Sequence, residues 1–217
     1  MQEFLGDASH ELRTPLTVIK GYAELMSKDT TNPEIPRYLK TVMTETKRME
    51  RLISELLMLA ELGEKKVSPK EDLNLTNLVR EKVDELRDLA PSRSIASDLQ
   101  NIVIPTDFEL IETLLGNIFS NIARHTPQDA PVNISLIKFK NKTQLIVEDG
   151  GPGLPNYSLQ SFTRFDKSRS RISGGSGLGM SIMQKITETL GGSIQLTQSS
   201  LGGLKIEIEL PIEKAPH

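Results

Sequence analysis

Apolar residues recur at Leu5, Ala8, Leu12, Pro15, Ile19, Tyr22 and Met26, at alternating intervals of three and four. That spacing is a heptad seam on one face of a helix. If Leu5 is position a, then His10, Thr17 and Glu24 fall at f, opposite the seam, and His10 is expected to face solvent. Arg13 and Thr14 follow His10 by three and four residues and share its face, with Glu11 beside it. One outward imidazole thus has an acid, a cation and a hydroxyl within reach, an arrangement suited to chemistry rather than packing.

The helical pattern fades near Lys28, where residues 29–33 (Asp-Thr-Thr-Asn-Pro) supply turn chemistry and a second helix start. In the second helix, Tyr38, Leu39, Val42, Met43, Met49, Leu52, Ile53, Leu56, Leu57 and Ala60 form a stripe wider than a two-stranded seam needs. One antiparallel hairpin cannot cover two such stripes. A homodimer would close them into a four-helix bundle; packing on the chain's own second half is the other solution. The first pattern begins with no cap before Phe4, so a further segment is expected upstream.

Residues 63–71 are polar, with a Gly and a Pro, and read as a linker between a hairpin (1–62) and a second domain (72–217). In that domain the pattern predicts strands at 73–75, 95–99, 102–104, 132–139 and 143–147, with residues 141 and 142 as the turn between the last two. Helices are predicted after a Thr76 cap to about 89, after an Asp107 cap to about 125, and over about 178–190. A final hairpin pairs 193–197 with 204–210, and the Gly- and Ser-rich stretch 149–177 reads as a mobile loop. Strands and helices without regular alternation indicate an α+β layer, helices on one face of a mixed or antiparallel sheet.

Composition bounds the chemistry. Among 217 residues, 26 basic and 29 acidic give a net charge of −3, which offers no bulk attraction to nucleic acid or an anionic membrane surface. The absence of cysteine excludes disulfides and thiolate metal sites, and His10, His125 and His217 are too scattered for a histidine metal cluster. No signal peptide is evident and no apolar run reaches the length of a membrane span, so the chain reads as cytoplasmic.

Three patterns in the second domain point to a phosphate-bearing ligand. Asn117 and Asn121, four apart, lie on one helix face, with Arg124 and His125 one turn on. Their amide oxygens suit a hard cation, and the arginine suits phosphate. Asp149 ends a strand and is followed by Gly150-Gly151-Pro152-Gly153, where backbone can approach a ligand and a carboxylate can accept from an exocyclic amine. Gly174-Gly175-Ser176-Gly177-Leu178-Gly179 leads into a helix whose open N-H groups favour an anion. Between the second and third patterns lie Arg164, Lys167, Arg169 and Arg171.

In this order the patterns resemble those of bacterial two-component sensor histidine kinases. His10 to Leu16 resembles the H box, Asn117 to Asn121 the N box, Asp149 to Gly153 and Gly175 to Gly179 the two glycine boxes, and Phe162 to Phe165 the phenylalanine box. The resemblance implies a dimerisation and phosphotransfer hairpin followed by a Bergerat-type ATP-binding sandwich, as in gyrase and MutL, and a membrane sensor portion upstream. It implies that His10 accepts phosphate from ATP, with Glu11 taking a proton and Thr14 serving removal of phosphate from a response-regulator partner. Asp149 would bind the adenine amine, with Gly151 and Gly153 beside it. Asn121 would ligate Mg²⁺, with Asn117 on the same face, Arg124 in place of a phosphate-binding lysine and His125 in place of an aromatic. Gly175, Gly177, Leu178 and Gly179 would open the helix under the phosphates, below an ATP lid between Gly153 and Gly175. Full length, such a protein would work at the cytoplasmic face of the membrane. Gly150 stands where the family usually carries a polar residue, which would loosen that turn, and Asp166-Lys167 directly after Phe165 shortens the lid. Those departures motivate an alternative: a degenerate phosphotransfer and dimerisation module with weak or no ATP turnover. A nucleotide-gated dimeric scaffold is another.

Overall fold

The computed structural model describes residues 2–64, 71–153 and 178–212, with side chains from Leu12 onward apart from those of residues 61, 63, 64 and 178. The chain divides into two compact units, Met1–Gly63 and Glu64–His217.

The first unit is a helical hairpin of α1 (Gln2–Lys28) and α2 (Ile35–Glu64). The turn between them is made by short polar side chains. Asp29 Oδ1 accepts from the Thr31 amide (3.0 Å) and hydroxyl (2.7 Å), and Asn32 Oδ1 accepts from the Glu34 amide (2.9 Å). Such local bonds satisfy backbone donors that neither helix can. Beside the turn, the rings of Tyr22 and Tyr38 lie 5.2 Å apart at 41°, a tilted pair worth about 0.5–1.5 kcal/mol beyond the area it buries. On α1, Pro15 is buried and Leu12, Ile19, Tyr22 and Met26 are half-buried, whereas Thr17 and Glu24 are exposed, which is the phase of the heptad seam. Leu52 and Leu62 are buried on α2, but Leu39, Met43, Ile53 and Leu57 are exposed, as are Leu16 and Leu25 on α1. Helix α2 runs to Glu64, two residues into the stretch read as the linker.

The second unit contains β1 (Glu71–Asn74), α3 (Leu75–Leu89), β2 (Ile95–Leu99), β3 (Val103–Thr106), α4 (Phe108–His125), β4 (Val132–Phe139) and β5 (Lys142–Asp149). After residues 154–177, which lie outside the described set, come α5 (Leu178–Thr189), β6 (Ser193–Gln198) and β7 (Leu204–Pro211). Strands β1 and β3 form a small antiparallel pair. The main sheet has the order β2-β4-β5-β7-β6, with β2 parallel to β4 and every other pairing antiparallel. It is therefore mixed.

Along this sheet burial alternates with period two, as a sheet covered on one face requires. Val132, Ile134 and Leu136 of β4, Thr143, Leu145 and Val147 of β5, and Leu204, Ile206, Ile208 and Leu210 of β7 are buried. The intervening residues form a polar face, where Lys142 pairs with Glu209 (2.7 Å) and Gln144 donates to Glu207. Helix α4 packs against α3 and α5; it buries Leu110, Ile111, Leu114, Leu115, Ile118, Phe119 and Ile122, and α5 buries Ile182, Met183 and Ile186. Two local expectations are corrected. Asn74, not Thr76, caps α3, its side chain accepting from the Asn77 amide. Thr76 lies inside the first turn and bridges outward: its hydroxyl donates to Gln100 O (2.7 Å) and accepts from the Ile102 amide (2.8 Å). The β4–β5 turn is Lys140-Asn141, one residue earlier than expected, with Lys140 at φ 55°.

Candidate functional site

The β5 phase that buries Thr143, Leu145 and Val147 continues to Asp149, which is 8% exposed and so rises on the helix-covered face at the strand's end. Its carboxylate is fixed. Oδ1 accepts from the Gly151 amide at 2.7 Å and the Leu204 amide at 3.4 Å, while the Asp149 main-chain oxygen accepts from the Gly203 amide at 3.1 Å. Gly153 follows at φ 65°, a left-handed conformation that glycine adopts without steric cost. Gly150 is held rather than loosened: its amide donates to Pro131 O (2.9 Å), and a Cβ there would lie 2.8 Å from the Pro131 ring. A larger residue there would have to displace that ring.

Asp107 caps α4, its side chain accepting from the Leu110 amide. The apolar face of this helix points into the core and leaves Asn117 and Asn121 half-buried along its flank. Asn117 Nδ2 donates to Thr113 O (2.9 Å), so its Oδ1 turns the other way. A Cβ on Gly179, in the first turn of α5, would sit 3.2 Å from Asn117 Oδ1 and 4.0 Å from Asn121 Oδ1. Both amide oxygens therefore converge on the start of α5, where main-chain N-H groups lack helical partners. One turn beyond, Arg124 is exposed and His125 half-buried. Burial holds the His125 imidazole below its ordinary pKa, with the Arg124 charge adding to the effect. At neutral pH that ring is uncharged.

Asn117, Asn121, Gly179, Asp149, Gly151 and Gly153 are thus brought into one unit, with Arg124 and His125 at the end of α4. Leu178 opens α5 by its backbone, and Gly175 and Gly177 lie outside the described residues. His10 and Glu11 are helical, their side chains outside the described set; Thr14 is exposed on α1. Among the described residues no three or more His, Cys, Asp or Glu gather to hold a metal ion. The donor set fits a hard cation that arrives with its own oxygen ligands, since it supplies amide oxygens and leaves the remaining positions to waters and phosphates.

Three further residues at this site escape sequence reasoning. Gly203 meets Asp149 so closely that a Cβ would overlap Asp149 Oδ1, its main-chain O and the Gly151 amide. Thr126 is buried against Gly151. Arg93, 6% exposed, donates from Nη2 to Thr126 O (2.9 Å) and Pro127 O (3.0 Å). Gly203 carries a weak signal in the Gly202-Gly203 pair; Arg93 carries none, because its partners are more than thirty residues away.

Residues 1–65 match the His Kinase A (phospho-acceptor) domain family, and residues 106–214 match the family of Histidine kinase-, DNA gyrase B-, and HSP90-like ATPases. Over 221 residues the chain is 34% identical to the probable sensor histidine kinase TcrY of Mycobacterium tuberculosis, covering 98% of this chain and 46% of that protein. The chain spans about half the length of the curated relatives it matches. Among solved structures, the histidine kinase ThkA in complex with the response regulator TrrA aligns with a TM-score of 0.78 at 23% identity, over 97% of this chain and 61% of that one. ShkA in complex with AMPPNP aligns at 0.64 and 20% identity, over 99% of this chain and 47% of that one. At such identities these structures establish likeness of fold.

Proposed function

The chain belongs to the histidine kinase family, and from that premise we propose that it transfers the γ-phosphoryl group of ATP to His10 and passes it to an aspartate of a response regulator. The observation that carries this reading is the convergence of the Asn117 and Asn121 oxygens on the first turn of α5, on the same sheet face as a buried, oriented Asp149. Asp149 accepts from the adenine amine, with Gly151 and Gly153 lining the base. Asn121, with Asn117 beside it, holds the metal, and Arg124 and the N-terminal turn of α5 at Leu178 and Gly179 meet the phosphates. Mg²⁺, when bound with the nucleotide, neutralises phosphate charge during transfer. His125, kept neutral, flanks the nucleotide without adding charge.

At His10 one ring nitrogen attacks the γ-phosphorus, the bond to the bridging oxygen breaks, and ADP leaves. Glu11 takes the proton from the other ring nitrogen, general-base help worth about 10²- to 10⁴-fold. Thr14, exposed one turn away, orients water for the reverse duty of removing phosphate from the regulator. Residues 63–71 serve as the hinge that lets the hairpin (1–62) and the ATP-binding domain (72–217) meet. Two such chains form a homodimer through the hairpin; the exposed Leu39, Met43, Ile53 and Leu57 support this. ThkA with its bound TrrA and ShkA with its bound AMPPNP support the regulator and the nucleotide. No helix among the described residues is long and apolar enough to cross a membrane; dependence on ATP and a response regulator places the reaction in the cytoplasm.

The test is purified protein with γ-labelled ATP and Mg²⁺, beside a His10→Gln variant, with nucleotide binding measured in parallel. Acid-labile, base-stable label on the wild type that vanishes in the variant is expected. Wild-type protein that binds ATP but takes up no such label would overturn the kinase reading and favour the degenerate relay, which Gly150 and the shortened lid motivate.

A further inference from the structure

The Arg93 guanidinium sits just before β2, almost wholly buried, in a domain with ample aliphatic residues to fill the same volume. Burying a permanent positive charge costs several kcal/mol unless partners offset it. Nη2 has two, the carbonyls of Thr126 and Pro127. Nε and Nη1 are buried with no hydrogen-bond partner among the described residues. The remaining compensation is electrostatic: burial pulls the guanidinium below its ordinary pKa and the negative charge of Asp149 opposes that pull. Arg93 is therefore linked to Asp149 twice. By geometry, it clamps the turn after α4, where Thr126 packs against Gly151, and the Gly151 amide orients Asp149 Oδ1. By charge, it stands near a buried carboxylate. The parallel pairing of β2 with β4, extended by the Val132 amide donating to Ser94 O (2.9 Å), brings Arg93 beside that turn.

We propose that Arg93 is a positioning residue for nucleotide-base recognition, keeping Asp149 aimed at the exocyclic amine of adenine from behind the pocket, without touching the ligand. This rests on the reading of Asp149 as the adenine acceptor. It predicts that Arg93 matters for one atom group of the ligand, the 6-amino group, and little for the rest.

The experiment compares ATP with purine riboside triphosphate, which lacks only that amine, by calorimetric titration of the full chain. The variants are Arg93→Met, Arg93→Lys and Arg93→Gln, each checked for folding by circular dichroism. Wild type should prefer ATP by about tenfold or more, the scale of a hydrogen bond to a charged acceptor. Arg93→Met and Arg93→Gln should lose about tenfold for ATP and no more than about twofold for the analogue, while Arg93→Lys keeps most of the preference. If Arg93→Met does not fold, the pairing of Gln, which keeps a donor but no charge, with Lys decides the matter. Equal losses for both ligands, a preference unchanged in Gln, or Lys and Gln behaving alike overturns the proposal. A wild type that binds both ligands equally overturns the adenine reading of Asp149 itself, a distinct failure.

Discussion

Gly203 has a φ outside the left-handed region, yet the position admits no side chain, because Asp149 occupies the space. Gly203→Ala should cost about 1–3 kcal/mol of stability through forced displacement and should also weaken ATP binding, since the carboxylate must move. Thermal melting and titration check both; a stable variant with normal ATP affinity would show that the contact is slack. His125 makes a pH prediction. Its folded pKa lies below the unfolded value near 6.5, so in the window below 6.5 the unfolded chain binds a proton that the folded one resists. Its contribution is constant above that window and lost as pH falls through it. Denaturant titrations from pH 7.5 to 5.5 should show a shallower fall for His125→Gln than for wild type; parallel curves would rule the residue out. At this scale the sequence marked Asn117, Asn121 and Asp149, the groups proposed to face the ligand, because their spacing and flanking glycines are local. It concealed Gly203 and Arg93, whose reasons for being there are distant.

Helices and strands were legible where a period ran long. Asp107 caps α4 as its sequence position suggests, and the strand phase of β4 and β5 reads directly from Val132 to Val147. The α3 start is ambiguous in sequence because both Asn74 and Thr76 are competent caps, and the entry to β3 decides between them: the backbone near Gln100 and Ile102 claims the threonine hydroxyl. The difference is measurable. Asn74→Ala should cost about 1 kcal/mol, the loss of a cap, whereas Thr76→Val strips two partly buried backbone groups of their partner and should cost about 2 kcal/mol or more. Chemical denaturation that ranks them the other way would show the Thr76 bridge to be slack. On α1, Pro15 removes the donor that the Glu11 carbonyl would otherwise receive, so the helix is weakened beside His10.

At the scale of the whole molecule, the two-stripe argument anticipated a hairpin with apolar surface to spare, and Leu39, Met43, Ile53 and Leu57 are exposed. Replacing Leu39 and Leu57 together by Lys should convert a dimer to a monomer in sedimentation equilibrium while ATP affinity is unchanged; a persistent dimer would place the interface elsewhere. Sheet order, by contrast, was not legible, since alternation sets the face of each strand and not its neighbour. The order that emerged places β7 beside β5, and Leu204 is 55 residues beyond the Asp149 it bonds. During synthesis at about 5–20 residues per second, β5 therefore waits about 3–11 s with one edge open and Leu145 and Val147 incompletely covered. The surroundings of Asp149 are complete only once Gly203 and Leu204 have been made, and a ribosome stalled before Gly203 would hold a sheet edge ready for another nascent chain.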